Sequence, residues 1–327
     1  MPAAIDKAAA TEPGGNPTAG LLLWPRLRPR AANTGAYAGA MRVSRLLPTL
    51  ALAAAFALLG VAVAEAEPPY TWRTGVAAPD AANTLAGRIA PPPGYSRPAA
   101  APGSFAAWLR SLPLKPAGSP VLLHTGAPKA RQDVHVAVVD IDVGTRDLQQ
   151  CADAAMRLRA EWLFAARRTS DIAFNDTGAA KPIAFARWAA GERPRMSGHT
   201  LAWSRSAAPD AGYASFRRYM DVVFTWAGTY SLERELAPKP VAQLAAGDLF
   251  IKGGFPGHAV LVADVAESQT TGERRFLLLQ SFMPAQEMHV LKNPANPDGS
   301  PWYALDFGDR LVTPEWVFPR ESLRTWR

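Results

Sequence analysis

Apolar positions recur at helical spacing from Arg146 to Arg168, where Leu148, Cys151, Ala155, Leu158 and Trp162 share one side. Asp153, Arg157 and Glu161 stand four apart on another side and are spaced to pair, so the pattern predicts a helix with a charged stripe. A second helix is predicted over Tyr213–Thr229, with Phe216, Met220, Val223 and Phe224 on its apolar face. A shorter one follows in TYSLERELAP and is stopped by Pro238 and Pro240. Earlier, Ser104 caps a short helix carrying Phe105, Trp108, Leu109 and Leu112, which Pro113 ends.

Elsewhere the apolar residues run together in short β-branched stretches. VHVAVVDIDV (134–143), GDLFI (247–251), HAVLVADVA (258–266) and RRFLLLQSF (274–282) each predict a strand. The polar stretch ESQTTGE joins the last two as an antiparallel hairpin. Residues 169–209 show weak periodicity and are expected to be loop with short elements. Helices precede strands in chain order, and the fold class predicted is α+β.

Composition changes the picture mainly at the N-terminus. MRVSRLLPTLALAAAFALLGVAVAEAE carries two arginines, an apolar stretch and small-residue sites, the layout of a secretory signal peptide at residues 41–66. Residues 1–40 are expected to be a disordered leader or a mis-assigned start. Residues 67–103, rich in Pro, Ala and Gly, read as a linker, leaving 104–327 as one globular domain. The whole chain holds 35 basic and 28 acidic residues. Beyond residue 66 the numbers are 29 and 25, and the basic residues form no stripe interleaved with aromatics, so no nucleic-acid partner is expected. After signal cleavage no membrane span is expected either, which places the protein in the periplasm or cell envelope.

Cys151 is the single cysteine of the chain, so no intramolecular disulfide can form. It stands near the start of its predicted helix, where a thiol nucleophile gains from the helix dipole and a nearby imidazole. His258 opens a strand behind the glycine-rich GGFPG, and hairpin pairing brings Gln280 within reach of its ring. Cys151, His258 and Gln280 are thus the candidate nucleophile, base and ring-orienting residue. Backbone amides near Gln150 and Cys151 are expected to hold an oxyanion. Gln150, Gly253, Gly254, Gly257, Ser281 and Gln286 are the candidate substrate contacts, and His289 and Asn293 belong to the same polar loop. Asp248 is expected to cap a turn. His258, His289 and Asp264 lack metal-ligand spacing, and the chain contains no G-x-S-x-G elbow, so neither metal, cofactor nor nucleophilic serine is expected.

A cysteine leading a helix, GDLF on a strand, a histidine opening the next strand and a polar residue on the one after resemble the core of NlpC-type papain-like cysteine peptidases and amidases. That resemblance implies a nucleophile helix packed on a small antiparallel sheet with helical insertions, and an amide substrate in the cell envelope, with peptidoglycan the candidate. The stretches DLQQCADAAMRLRAEWL, AGTYSLEREL, GDLFIKGGFPGHAVLVADVA and LLLQSFMPAQEMHVLKNP are also similar to the bacterial exported family known as domain of unknown function 4846. Two other classes stay open: an envelope module binding a glycan or peptide in the same cleft without catalysis, and a structural protein.

Overall fold

The computed structural model describes residues 70–73, 75 and 79–327, so the leader and the signal segment lie outside the described residues. The strands in chain order are β1 (Tyr95–Ser96), β2 (His135–Val138), β3 (Ala173–Asn175), β4 (Pro182–Ala184), β5 (Glu192–Ser197), β6 (Thr200–Arg205), β7 (Ala237–Pro238), β8 (Leu249–Lys252), β9 (His258–Ser268), β10 (Arg274–Gln280), β11 (His289–Leu291), β12 (Tyr303–Ala304), β13 (Arg310–Val312), β14 (Val317–Pro319) and β15 (Leu323–Thr325). The helices are α1 (Leu85–Arg88), α2 (Phe105–Arg110), α3 (Cys151–Ala165), α4 (Phe185–Ala189), α5 (Tyr213–Trp226) and α6 (Thr229–Glu235).

Nine strands form one antiparallel sheet in the order β2-β11-β10-β9-β8-β15-β7, with β1 added to β9 and β12 to β10. The fold is α+β, and its sheet is larger than the small one expected, because short strands far apart in sequence extend the predicted hairpin on both sides. The β9–β10 hairpin pairs Arg274 with Glu267 and Leu279 with Leu261, with a register shift at Leu277/Leu278.

Alternation along β9 explains the two cores. Ala259, Leu261 and Ala263 face α3 and join the larger apolar cluster with Ala155, Leu158 and Trp108. Val260 and Val262 point the other way, into a smaller cluster with Phe250, Leu278 and Phe318. A strand buried on both faces reads as continuous apolar sequence, which HAVLVADVA does.

Two expectations need correction, and a third finding adds to what the spacing showed. The stretch read as linker is packed into the domain: Leu85 is fully buried, Tyr70 and Trp72 stack around Trp108, and Arg97 donates to Asp264 at 2.5 Å. Its prolines and alanines are spacers between anchoring side chains. Residues 169–209 contain two hairpins, β3–β4 and β5–β6, together with α4. Finally, the charged side of α3 is internal. Arg157 and Glu161 are both fully buried and paired at 2.6 Å, while Asp153 turns back to accept from the Gln150 amide at 3.0 Å. Their spacing, read as fit to pair, made a buried ion pair and a helix cap.

Candidate functional site

Helix α3 begins at Cys151 with Gln150 as its N-cap. Because β10 leaves the sheet after Gln280, the start of α3 lies beside β9 at that point: Ser281 Oγ lies 3.3 Å from the Gln149 carbonyl, and the Ala259 amide points at the Cys151 sulfur. The amides of Ala152 and of Cys151 itself are also directed at the sulfur and favour the thiolate. Burial outweighs them. It pushes the Cys151 thiol up to about 12, and the neighbouring Asp153 acts in the same direction. Asp153 is itself raised well above the usual carboxylate range by burial.

His258 follows the GGFPG loop on β9, with its ring against Phe282, Trp316 and Phe318 at centroid distances of 4.7, 5.3 and 5.8 Å. Nε2 lies 3.0 Å from Gln280 Oε1, while the buried Nδ1 has no hydrogen-bond partner. Burial lowers the imidazole to about 4, against the Gln280 hydrogen bond, so the ring is neutral at physiological pH. The sequence therefore brings His258 and Gln280 into direct contact and sets the Cys151 sulfur at the amide of the residue following His258. No hydrogen bond joins the thiol to the ring, and the described pair is neutral.

A cleft of about 250 Å³ opens in front of Cys151, lined by Asp147, Gln150, Asp153, Phe224, Thr229, Gly254, Phe255, Pro256, Gly257 and Met283 among others. Ala227, Gly228, Thr229 and Phe255 also wall a second cavity of about 300 Å³ that reaches Met196 and His199 on the β5–β6 hairpin. Phe255 is 79% exposed, and Met196, Tyr230 and Met283 are exposed beside it, a concentration of apolar surface around the cleft.

Two glycines of the loop have a steric reason. Gly254 has a φ of 148°, and a Cβ on Gly257 would meet Thr229 Oγ1 at 2.3 Å and the Lys252 carbonyl at 2.6 Å.

The other expected contacts divide. Gln150, Gly254 and Gly257 line the cleft, whereas Gly253 packs under α6 against Glu233 and Thr229. Ser281 and Gln286 are sealed beneath the surface and reach no ligand: Ser281 Oγ donates to the Gln286 carbonyl at 2.7 Å, and Gln286 Nε2 to that of Pro284 at 3.0 Å. The Gln150 amide is committed to Asp153, and the Cys151 and Ala152 amides are directed at the sulfur. Asn293 donates to the Trp302 carbonyl at 3.0 Å and holds a loop. Asp248 accepts from the Ala245 amide and Lys239, a capped turn as its position implied.

Asp264 lies away from both histidines, taken up by Arg97 and Arg110 at 2.5 and 2.7 Å. Among the described residues no group of three His, Cys, Asp or Glu side chains is arranged to hold a metal ion. Nor is any helix among them long and apolar enough to cross a membrane.

Sequence reasoning missed Phe255 and Met283 as cleft walls, Glu315 as the neighbour of Gln280 and Lys129 as the partner of Glu315. The first two stand in or next to stretches already singled out, and a large apolar side chain in a Gly-Pro loop is itself a usable signal. The other two come from distant segments and carry none.

The thiol predicts its own reactivity. Only the thiolate is alkylated, so at pH 7 iodoacetamide should modify the folded chain roughly 10³-fold or more slowly than the unfolded one. The rate in the folded chain should rise about tenfold per pH unit from 7 to 10, because the whole window lies below the titration. A plateau near pH 8 would contradict the assigned burial.

In comparison with known families, residues 85–325 match a family described as Domain of unknown function (4846). No curated protein and no solved structure matches the chain.

Proposed function

The chain belongs to the family described as Domain of unknown function (4846), and from that premise we propose that it is an exported cysteine peptidase or amidase with an NlpC-type papain-like core, acting on an amide bond of the cell envelope. One observation carries the reading. Gln280 holds His258 by Nε2 and leaves Nδ1 buried without a partner, on the residue next to the amide that meets the Cys151 sulfur. The bare nitrogen stands one residue from the amide that meets the thiol, with its ring on the Phe318 side of β9, and a turn of that ring toward the start of α3 would supply the base that activation of a nucleophile requires.

In this reading the sulfur attacks the substrate carbonyl carbon while its proton passes to His258 Nδ1. Charge on the carbonyl oxygen is met by the amides of Cys151 and Ala152. Collapse breaks the C–N bond, and His258 returns the proton to the departing amine, leaving a thioester. Water then attacks the thioester, giving up its proton to His258; the carboxylic acid leaves and the thiol is restored. Starting from a neutral thiol and a neutral imidazole, proton transfer is coupled to attack, since no preformed ion pair exists. Substrate side chains would lie against Phe255 and Met283.

The test is release of new amino groups from purified peptidoglycan and from envelope peptides. The proposal expects release by the intact chain. No release from either, or release unchanged by loss of Cys151, would contradict it.

A second reading, an envelope module that binds a peptide or glycan in the same cleft, is favoured by the burial that raises the thiol to about 12. It expects saturable binding that depends on Phe255, with no new amino groups.

A further inference from the structure

We propose that Glu315 and His289 are positioning residues: through Gln280 they fix His258 in the tautomer that leaves Nδ1 unprotonated. The argument follows donors and acceptors from one atom to the next.

His289 Nδ1 lies 2.8 Å from the carbonyl of Glu287. A carbonyl only accepts, so Nδ1 carries the proton and His289 Nε2 presents a lone pair. Gln280 Nε2 is 3.3 Å from that nitrogen and 2.6 Å from Glu315 Oε2. Glu315 Oε1 is paired with Lys129 Nζ at 2.7 Å, both side chains being less than a tenth exposed, so the carboxylate offers acceptors only. Both partners of Gln280 Nε2 accept, which makes that atom the NH₂ group and excludes the flipped amide.

Gln280 therefore turns its carbonyl to His258. Oε1 accepts from Nε2 at 3.0 Å, so Nε2 carries the hydrogen and Nδ1 is bare. Nδ1 is also the atom without a partner. The two histidines thus hold opposite neutral tautomers, His289 protonated at Nδ1 and His258 at Nε2. Burial lowers His289 to about 3 and keeps it neutral alongside His258.

Neither Glu315 nor His289 lines the cleft, so they act on His258 without touching a substrate. Their importance for turnover rests on the proposed role of His258 as base; the tautomer assignment stands or falls without it. In the flipped state Gln280 would place an NH₂ before His258 Nε2, the proton would sit on Nδ1, and the ring could not take one from the thiol.

The experiment is long-range ¹H–¹⁵N correlation on the full chain labelled with ¹⁵N-histidine at pH 7. The chain has five histidines, and H258Q and H289Q assign two of them by the signals they remove. Expected for the intact chain are a protonated Nε2 with unprotonated Nδ1 on His258, and the reverse on His289. The opposite pattern on either ring overturns the proposal, and this reading needs no further variant.

Glu315→Leu removes the anionic acceptor and should move part of the His258 population to the Nδ1–H form, whereas Glu315→Gln, whose carbonyl can still accept from Gln280, should restore the original pattern. A folded Glu315→Leu chain with His258 unchanged would overturn the role of Glu315. Amide cleavage measured on the same samples separates the two proposals: correct tautomers without cleavage would leave the positioning chain standing and remove the enzymatic reading.

Discussion

Cys151→Ala is expected to lower amide release by about 10³-fold or more while leaving the chain folded. The size follows from the mechanism, because no other thiol exists to form the thioester and water alone must then attack the unactivated amide. The structural cost is small. Cys151 sits at the first position of α3 with its sulfur partly facing the cleft wall, and loss of one buried sulfur costs about 1 kcal/mol, comparable with a methylene. Stability and activity therefore separate, as they would not if the thiol only packed the core. Cys151→Ser adds a control of similar size and shape. Its hydroxyl keeps the contact with the Ala259 amide but is a far weaker nucleophile, so it should retain the fold and share the loss. Activity in the alanine variant within a few fold of the intact chain would remove Cys151 from the chemistry.

Glu161→Ala is expected to be the most damaging single change to stability, about 3–5 kcal/mol in denaturant unfolding. Arg157 is fully buried, and its Nε donates to Glu161 Oε1 at 2.6 Å. Tyr213 Oη donates to the same oxygen at 2.9 Å. Without Glu161 the guanidinium keeps the neutral Gln149 Oε1 at 3.0 Å and Asp142 at 3.3 Å, whose side chain is 57% exposed. An internal cation is then left with one weak counter-charge at the rim. Replacing both partners, Arg157→Met with Glu161→Leu, removes charge and counter-charge together and should cost much less than Glu161→Ala alone. A loss below about 1 kcal/mol for Glu161→Ala would show that the pair is not the internal brace the geometry describes. The consequence reaches the site, because Arg157 holds Gln149, whose carbonyl anchors Ser281 where β10 ends.

Elements with strong local periodicity were legible in the sequence. Helix α3, helix α5 and the hairpin β9–β10 follow from residue spacing alone, and with them the placement of Cys151 at a helix start and the contact of His258 with Gln280. What was not legible depends on tertiary partners. Spacing shows that Asp153, Arg157 and Glu161 share a side of a helix. It cannot show that a second helix, carrying Tyr213, covers that side. Proline-rich composition suggested a linker over 67–103, yet Leu85, Tyr95 and Arg97 each find a partner in the domain, and a few such anchors outweigh the composition around them.

The β5–β6 hairpin did carry a local signal. Ser197-Gly198-His199-Thr200 is a two-residue turn whose glycine has a φ of 61°, and the arginines around it masked the strand pattern. Gln280 illustrates the opposite case. Its neighbour Glu315 lies on the segment leading into β14, far along the chain and unmarked by any motif, so the orientation of the Gln280 amide could be read only from the folded molecule.

The central claim is that Cys151 is a nucleophile served by His258. It is tested most directly by the intact mass of the folded chain after exposure to a peptidyl chloromethyl ketone, whose chloride the sulfur displaces to leave a stable thioether, followed by peptide mapping. The account predicts one adduct, on Cys151, absent from Cys151→Ala and formed much more slowly in His258→Ala. A chain that stays unmodified while folded and reacts only once unfolded would contradict it and leave the thiol a buried core residue.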